Sequence, residues 1–151
     1  MYALCAITIS ITFLSIPYIQ NAFVEIIKQM TPIDAHNIRD ILNAKTLPIC
    51  QLQQKSNVNE EGYNIIYDLL YWLPSKNEED WQQNSISLVN LQRLGLIQYG
   101  FDTYLIDDIQ YKHYDNSNLI KALKNNNQNI ELKKGVVEIT PYGRQFKIAC
   151  L

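Results

Sequence analysis

Hydrophobic residues recur at helical spacing in the segment that follows Pro17. Polar side chains occupy the opposite face, which is the pattern of an amphipathic helix packed against a core. The apolar positions are Tyr18, Ala22, Phe23, Ile26, Ile27 and Met30. We therefore predict a helix over residues 18–30.

The sequence Thr31-Pro32-Ile33-Asp34 has the composition of a helix start. A threonine hydroxyl caps the first turn, proline suits the first helical position, and an aspartate there faces free backbone N–H groups. A second helix is therefore predicted over residues 32–43, with a buried face formed by Ala35, Ile38 and Leu42.

Three segments have the composition of β-strands. Residues 48–53 form a short candidate, and residues 63–73 are apolar on every side, so periodicity alone does not separate strand from helix there. Tyrosine and isoleucine favour a strand in the second segment. Residues 129–139 are predicted as a third strand with a break at Gly135. The polar segments 56–62 and 124–129 are predicted as loops.

The stretch SLVNLQRLGLI, Ser87–Ile97, combines leucine spacing with a glycine that suits a helix end. Leu88, Leu91 and Leu94 share one helix face. Gly95 suits the left-handed conformation found just past a helix end, and the residues after it suit extended chain. We predict a helix over residues 85–94 with Ser85 as its cap.

Two more helices are predicted in the last third of the chain. Asp115 or Ser117 can cap a short helix through Leu119, Ile120 and Leu123. The dipeptide Thr140-Pro141 has the same helix-start composition as Thr31-Pro32. It predicts a last helix over residues 140–151, which packs Tyr142, Phe146 and Cys150.

The face of helix 85–94 opposite its leucines carries Ile86, Val89, Asn90, Gln92 and Arg93. One cation and two β-branched residues make a poor reader of the DNA major groove. We therefore predict a protein partner that contacts Ile86, Val89, Asn90 and Arg93. Val89 separates three cases: it is exposed in a DNA reader, buried if this chain covers the face, and covered only in the complex if a partner does.

Residues 1–24 contain no charged side chain. A signal peptide needs a basic start, and polar residues and Pro17 interrupt the apolar run that a spanning helix needs. Apolar and polar residues alternate from Ile7 to Phe13, which is strand periodicity. We predict that residues 1–17 are a strand or a remnant outside a main domain of residues 18–151. A membrane anchor is the less favoured alternative.

Charge is distributed unevenly along a chain whose net charge is −2. Residues 1–110 hold six basic and twelve acidic side chains, whereas residues 111–151 hold seven and three. The basic excess is small, so a solvated surface is the simpler interpretation. If the chain binds nucleic acid, we expect steep salt dependence and contacts from Lys133, Lys134, Arg144 and Lys147.

The three cysteines are Cys5, Cys50 and Cys150. They form no CxxC pair, and an odd number gives no disulfide framework, so the sequence predicts no zinc site and favours a reducing cytoplasm. Free cysteine is often a small apolar core residue, and we predict that role here.

The remaining chemistry-bearing residues do not assemble into a catalytic site by spacing. His36 lies in a predicted helix, His113 lies in a tyrosine-rich extended segment, and no set of nucleophile, base and orienting group can be assembled from the spacing. Asp107 and Asp108, with Asp102, are predicted as a loop rather than a metal site, because adjacent strand residues point oppositely. Five scattered glycines form no phosphate-binding loop. We therefore predict no enzymatic activity, metal or cofactor.

Three stretches of the sequence resemble the abortive-infection alpha family of bacteria. They are AFVEIIKQMTPIDA (Ala22–Ala35), SLVNLQRLGLIQ (Ser87–Gln98) and VEITPYGRQFKIACL (Val137–Leu151). The first and last are moderately specific, because Lys-Gln-x-Thr-Pro-x-Asp-Ala and Thr-Pro-x-Gly-x-x-Phe are unusual combinations. The middle stretch is similar to one found in many winged-helix proteins. The resemblance spans about residues 18–151 and implies defence against phage, with no biochemical activity to carry over.

Pattern and resemblance together predict an α+β domain similar to a winged helix, with several short helices and a small antiparallel sheet. We expect a non-enzymatic cytoplasmic protein that acts through an unknown protein partner or through self-association. A winged-helix regulator that binds nucleic acid through its basic C-terminal region is the alternative. Membrane association is not expected.

Overall fold

The computed structural model describes residues 17–56, 62–126 and 129–151. The helices within these ranges are α1 (Pro17–Lys28), α2 (Pro32–Ala44), α3 (Trp81–Arg93), α4 (Lys112–Asp115), α5 (Asn118–Asn126) and α6 (Pro141–Cys150). Short 3₁₀ helices precede α3 and α4, at Glu78–Asp80 and Asp108–Tyr111. The strands are β1 (Thr46–Lys55), β2 (Tyr63–Leu70), β3 (Ile97–Gly100) and β4 (Ile130–Ile139).

The four strands form one antiparallel sheet in the order β2-β1-β4-β3. The central pair, β1 and β4, runs without a register shift from Thr46 opposite Glu138 to Gln54 opposite Ile130. The predicted break at Gly135 is therefore wrong. Gly135 is a regular strand residue opposite Ile49, and a Cβ atom there would lie 2.5 Å from the ring of Phe101. Close packing, not chain reversal, accounts for this glycine.

Alternate residues of the sheet point into two separate apolar clusters, as the two-residue period of a strand requires. Ile49 and Val137 point into the first cluster, which α1, α2, α3 and α6 cover. Its helical members include Phe23, Ile26, Ile38, Ile41, Leu42, Leu88, Leu91 and Phe146. Cys50 and Ile130 point into the second cluster, on the opposite face, where Tyr111, Tyr114 and Ile120 cover the sheet. The central strands therefore lie between helices on both faces of the sheet.

The α+β class, with several short helices and a small antiparallel sheet, is confirmed. The winged-helix arrangement is not. In a helix-turn-helix the two crossing helices are consecutive, whereas β1 and β2 separate α2 from α3 here. The strand predicted over residues 63–73 is confirmed as β2, although β2 ends at Leu70.

Both threonine-proline helix starts are confirmed. The Thr31 hydroxyl accepts a hydrogen bond from the Asp34 N–H at 3.2 Å, and the Asp34 carboxylate accepts one from the Thr31 N–H at 2.8 Å. The Thr140 hydroxyl accepts from the Gly143 N–H at 2.9 Å. Ser117 caps α5, because its hydroxyl accepts from the Ile120 N–H at 3.2 Å. The choice between Asp115 and Ser117 is thereby settled.

Two details of the predicted helices are wrong. Ser85 does not cap α3, which begins one turn earlier. Its hydroxyl instead lies 2.8 Å from the Leu69 carbonyl and 2.7 Å from the Trp81 carbonyl, so it serves the contact between α3 and β2. Ala35 is exposed on α2, whereas Asp34 is buried, because that face of the helix meets polar side chains of α3.

Two further assignments change in the second half of the chain. His113 lies in α4 rather than in extended chain. Residues 124–126, predicted as a loop, form the last turn of α5.

Some predictions fall on residues outside the described ranges. These are the strand or remnant interpretation for residues 1–16, the core position of Cys5, and the loop positions 57–61 and 127–128. None of the helices in the described part of the chain combines the length and the apolar character needed to cross a membrane.

Candidate interaction surface

The C-terminal half of α3 is the meeting point of three distant parts of the chain. The turn between α1 and α2 reaches it from one side, and the start of α6 reaches it from the other. These parts are the stretches Ala22–Ala35, Ser87–Gln98 and Val137–Leu151. We call this meeting point the α3 junction and define it by the contacts of Asn90, Arg93 and Gly95.

Asn90 links α3 to the start of α2. Its side-chain amide donates to the Asp34 carboxylate at 2.8 Å, and Asp34 is only 1% exposed. A buried carboxylate needs hydrogen-bond donors, and Asn90 and the backbone N–H of Thr31 supply them. Asn90 is half-buried and supports the fold, and its contact with a partner stays a prediction.

Arg93 is held by neutral groups. Its Nε and Nη2 atoms donate to the Asn90 side-chain oxygen at 3.1 and 2.8 Å, and its Nη1 donates to the Gln29 side-chain oxygen at 3.1 Å. Within the described ranges no carboxylate lies within ion-pair distance of this guanidinium. Arg93 is exposed, so the junction presents an oriented positive charge at the surface.

The start of α6 is hydrogen-bonded to backbone carbonyls that follow the end of α3. The Thr140 hydroxyl donates to the Gly95 carbonyl at 2.6 Å, and the Thr140 N–H donates to the Leu96 carbonyl at 3.1 Å. Gly95 has a φ of +77°, which confirms its predicted left-handed conformation. At position 143 the Cβ atom of any residue other than glycine would clash with the Leu96 carbonyl oxygen. α6 therefore approaches the junction more closely than a larger residue would permit.

The outer face of α3 is apolar and exposed. Ile86 is 70% exposed and Val89 is 52% exposed. Together with Arg93 they follow the spacing of one helix face, and we call this set the α3 strip. The described part of the chain does not bury Val89, so of the three cases weighed above, coverage by this chain is not observed.

The four cations predicted for nucleic-acid binding are not brought together. Lys133 and Lys134 are adjacent on β4 and therefore point to opposite faces of the sheet. Lys134 forms an ion pair with Asp108 at 2.7 Å, and this hydrogen bond raises the pKa of Lys134. On α6, Lys147 donates to the Leu42 carbonyl at 3.1 Å and Arg144 donates to the Ile139 carbonyl at 3.3 Å.

Comparison with known protein families decides the relationship that the sequence suggested. The family model named abortive infection alpha matches residues 13–150. The chain belongs to the abortive infection alpha family. No curated protein matches the sequence.

One solved structure resembles this abortive infection alpha protein over most of its length. It is an uncharacterized protein from the hydrocarbon-degrading marine bacterium Alcanivorax borkumensis SK2. The match covers 91% of this chain and 98% of the other, with a TM-score of 0.52 and 12% identity. At that identity the likeness shows the shared fold alone.

Residues of the three stretches quoted in the sequence analysis meet at the α3 junction. Thr31 and Asp34 close the first turn of α2 and fix Asn90, and Thr140 and Gly143 fix the end of α3. These residues support the fold, and the α3 strip is exposed on the same helix as Asn90.

A second exposed apolar group was missed by sequence reasoning. Tyr104, Ile106 and Ile109 are all exposed, and Ile106 is 96% exposed. They lie in the connection between β3 and α4, among the aspartates weighed above as a metal site. In the sequence this segment shows only large apolar residues next to several aspartates. It has no helical or strand periodicity that would separate exposed from buried positions. We call residues 104–109 the apolar loop.

The cysteine and histidine side chains of the second cluster serve as core contacts. Cys50 is fully buried, which confirms the core role predicted for it, and burial raises the pKa of its thiol. The thiol is therefore not the ionised nucleophile that cysteine chemistry needs. His113 places Nε2 2.9 Å from the Trp72 carbonyl and packs edge-on to the Trp72 ring. Burial lowers the pKa of His113.

Proposed function

We propose that this protein takes part in defence against phage without catalysing a reaction, through a protein contact made by the α3 strip. Membership of the abortive infection alpha family supports the biological role. The observation that carries the contact is the strip itself, where exposed Ile86 and Val89 lie beside an arginine that has no carboxylate partner in the described structure.

Physical chemistry favours an interface at this position. Apolar side chains gain about 25 cal/mol for each Å² removed from water, so Ile86 and Val89 favour a covered state. Arginine is enriched among the residues that dominate binding energy, and a guanidinium that is already oriented loses less rotamer entropy on binding. Asn90 and Gln29 provide that orientation. A partner with apolar side chains and a carboxylate fits this surface.

Nucleic-acid binding is the weaker candidate. Lys134 is neutralised by Asp108, and Lys133 lies on the other face of the sheet, so the basic residues do not form one patch. Binding to phosphates would need several cations on one surface.

A free thiol at Cys50 fits a reducing compartment, and we propose the cytoplasm as the place of action.

The experiment compares Ile86→Lys with Ile148→Lys in bacteria in which the unaltered protein reduces plaque formation. Ile148 lies on α6 and is 72% exposed, which matches the 70% of Ile86. Both variants should fold, because neither position is buried. We expect Ile86→Lys to abolish protection, since a lysine would be stranded in an apolar contact, and Ile148→Lys to retain it. Full protection by a folded Ile86→Lys protein would refute the role of the strip.

A further inference from the structure

We propose that the partner of the α3 strip is a second copy of this chain, whose apolar loop docks on the strip. This inference rests on the function proposed above and names the partner of the same surface. Two observations carry it: the loop is held in one shape while exposing apolar side chains, and the charges at the two surfaces are opposite.

The apolar loop is fixed to the body of the protein at several points. The Leu105 N–H donates to the Tyr111 hydroxyl at 2.9 Å, and that hydroxyl donates to the Gly135 carbonyl at 2.8 Å. The Asp107 carboxylate caps the following 3₁₀ helix by accepting from the Ile109 N–H at 3.0 Å. The ion pair between Asp108 and Lys134 adds another attachment.

A loop held this way loses little conformational entropy when it binds. Exposure of Ile106 is therefore a stable feature of the folded chain rather than a passing state. Side chains as apolar as Tyr104, Ile106 and Ile109 gain free energy when covered. The loop is therefore a rigid, exposed apolar segment suited to binding another surface.

Charge complementarity identifies the occupant. The loop and the residues before it carry Asp102 and Asp107, which lie in no ion pair within the described ranges. The α3 strip carries Arg93, which also lies in none. Both sites combine exposed apolar side chains with a charge. The loop carries Asp107, with Asp102 two residues before its start, and the strip carries Arg93. Each copy thus holds one half of a complementary contact.

One chain cannot satisfy this contact by itself. The strip belongs to α3, whose Leu88 and Leu91 pack in the first apolar cluster. The loop is anchored through Leu105 and Tyr111, which pack in the second cluster on the opposite face of the sheet. The contact therefore joins different surfaces of two copies, which makes it a head-to-tail contact.

The edge of β2 is a poorer site for self-association. It is an outer strand with Tyr63 and Ile65 exposed, and an unpaired edge can add a strand from another copy. However, its pairing with β1 contains two register shifts, between Cys50 and Leu52 and between Leu52 and Gln53. Such irregularities twist an edge away from further pairing.

The first experiment measures molar mass by light scattering after size exclusion, over a range of protein concentrations. The unaltered chain should assemble, whereas Ile106→Asp and Ile86→Lys should each remain monomeric, and Ile148→Lys should assemble as the unaltered chain does. Thermal unfolding checks that each variant is folded, which we expect because the substituted positions are exposed. A strictly monomeric unaltered chain at the highest soluble concentration would overturn the inference.

Mixing separates a head-to-tail contact from a face-to-face one. Ile106→Asp has an altered loop and an unaltered strip, whereas Ile86→Lys has an altered strip and an unaltered loop. An equimolar mixture should therefore give a one-to-one heterodimer, with one intact contact. If both variants are monomeric alone and stay monomeric when mixed, the two surfaces do not bind each other and the inference is wrong.

Charge reversal tests the ionic part. Arg93→Glu should weaken assembly about tenfold, in line with the coupling of close charge pairs across interfaces. Arg144→Glu is the matched control, because Arg144 is also exposed and also donates to an oxygen of its own chain. Equal weakening by both variants would show a general charge effect and would contradict pairing of Arg93 with the loop.

The outcomes also separate this inference from the proposed function. If the chain is monomeric and Ile86→Lys still abolishes protection against phage, the strip binds a different partner, and only the inference fails. If the chain assembles as described and Ile86→Lys leaves protection intact, the inference stands and the proposed function fails.

Discussion

The Thr140 hydroxyl makes two hydrogen bonds, one that caps α6 and one that joins α6 to the end of α3. It accepts from the Gly143 N–H at 2.9 Å and donates to the Gly95 carbonyl at 2.6 Å. Loss of a threonine cap costs about 1 kcal/mol, and loss of a further hydrogen bond costs about another 1 kcal/mol. We therefore expect Thr140→Ala to lower the free energy of unfolding by about 2 kcal/mol.

Thermal unfolding followed by circular dichroism measures this loss. For a chain of this size, 1 kcal/mol corresponds to about 2–4 °C, so the Tm should fall by about 4–8 °C. Thr140→Ser is the control, because it keeps the hydroxyl and removes one methyl group, and most of the stability should remain. An unchanged Tm for Thr140→Ala, or equal losses for both variants, would refute the assignment of the loss to the hydroxyl.

Three further predictions concern other contacts. Gly135→Ala should lower stability by about 1–3 kcal/mol in urea unfolding, because the new Cβ would meet the ring of Phe101. Asn90→Ala should cost about 1–3 kcal/mol in the same assay, because it removes a donor from the buried carboxylate of Asp34. Burial lowers the pKa of His113 below its ordinary 6.5, so the unfolded chain binds the proton more readily. The stabilisation from neutral His113 is therefore present above pH 6.5 and is lost as the pH falls below 6.5 through the lowered pKa of the folded state. His113→Gln should make the Tm fall less steeply as the pH drops.

The helix starts could be predicted because their signals are local. The hydroxyl of Thr31 meets the N–H of Asp34 three residues later, and Thr140 repeats the contact with Gly143. Gly95 adopts positive φ for an equally local reason, since no Cβ opposes that conformation there. Such contacts depend on a few neighbouring residues and are the same in any tertiary setting.

The buried polar face of α2 could not be predicted in this way. Asp34 meets Asn90 at a separation of 56 residues, and Asn37 meets Asn84 at a separation of 47. A sequence pattern assigns polar residues to the solvent side, so the apolar Ala35 was placed inside instead. Only the pairing of α2 with α3 makes burial of the polar residues favourable, because each polar group then finds a partner.

The candidate surface was predicted in part. Helical spacing placed Ile86 and Val89 opposite the core leucines, and both are exposed. Strand alternation was sufficient to show that Lys133 and Lys134 point apart, although the net charge of the C-terminal region drew attention to them together. The apolar loop was missed because an irregular segment has no period that separates buried from exposed positions, and Ile106 looks like any core residue in sequence.

The division of labour between these residues bears on what membership of the family implies. The residues on which the resemblance rested, Thr31 with Asp34 and Thr140 with Gly143, lie at the α3 junction and hydrogen-bond or pack against the end of α3 and its partner Asn90. A chain with these residues presents the outer face of α3 in a set orientation, whatever that face carries. Ile86 and Ile106, in contrast, are exposed side chains at 70% and 96%. Exchange of exposed residues costs little stability. On the contact proposed above, partner choice would therefore reside in the α3 strip and the apolar loop rather than in Thr31, Asp34, Thr140 and Gly143.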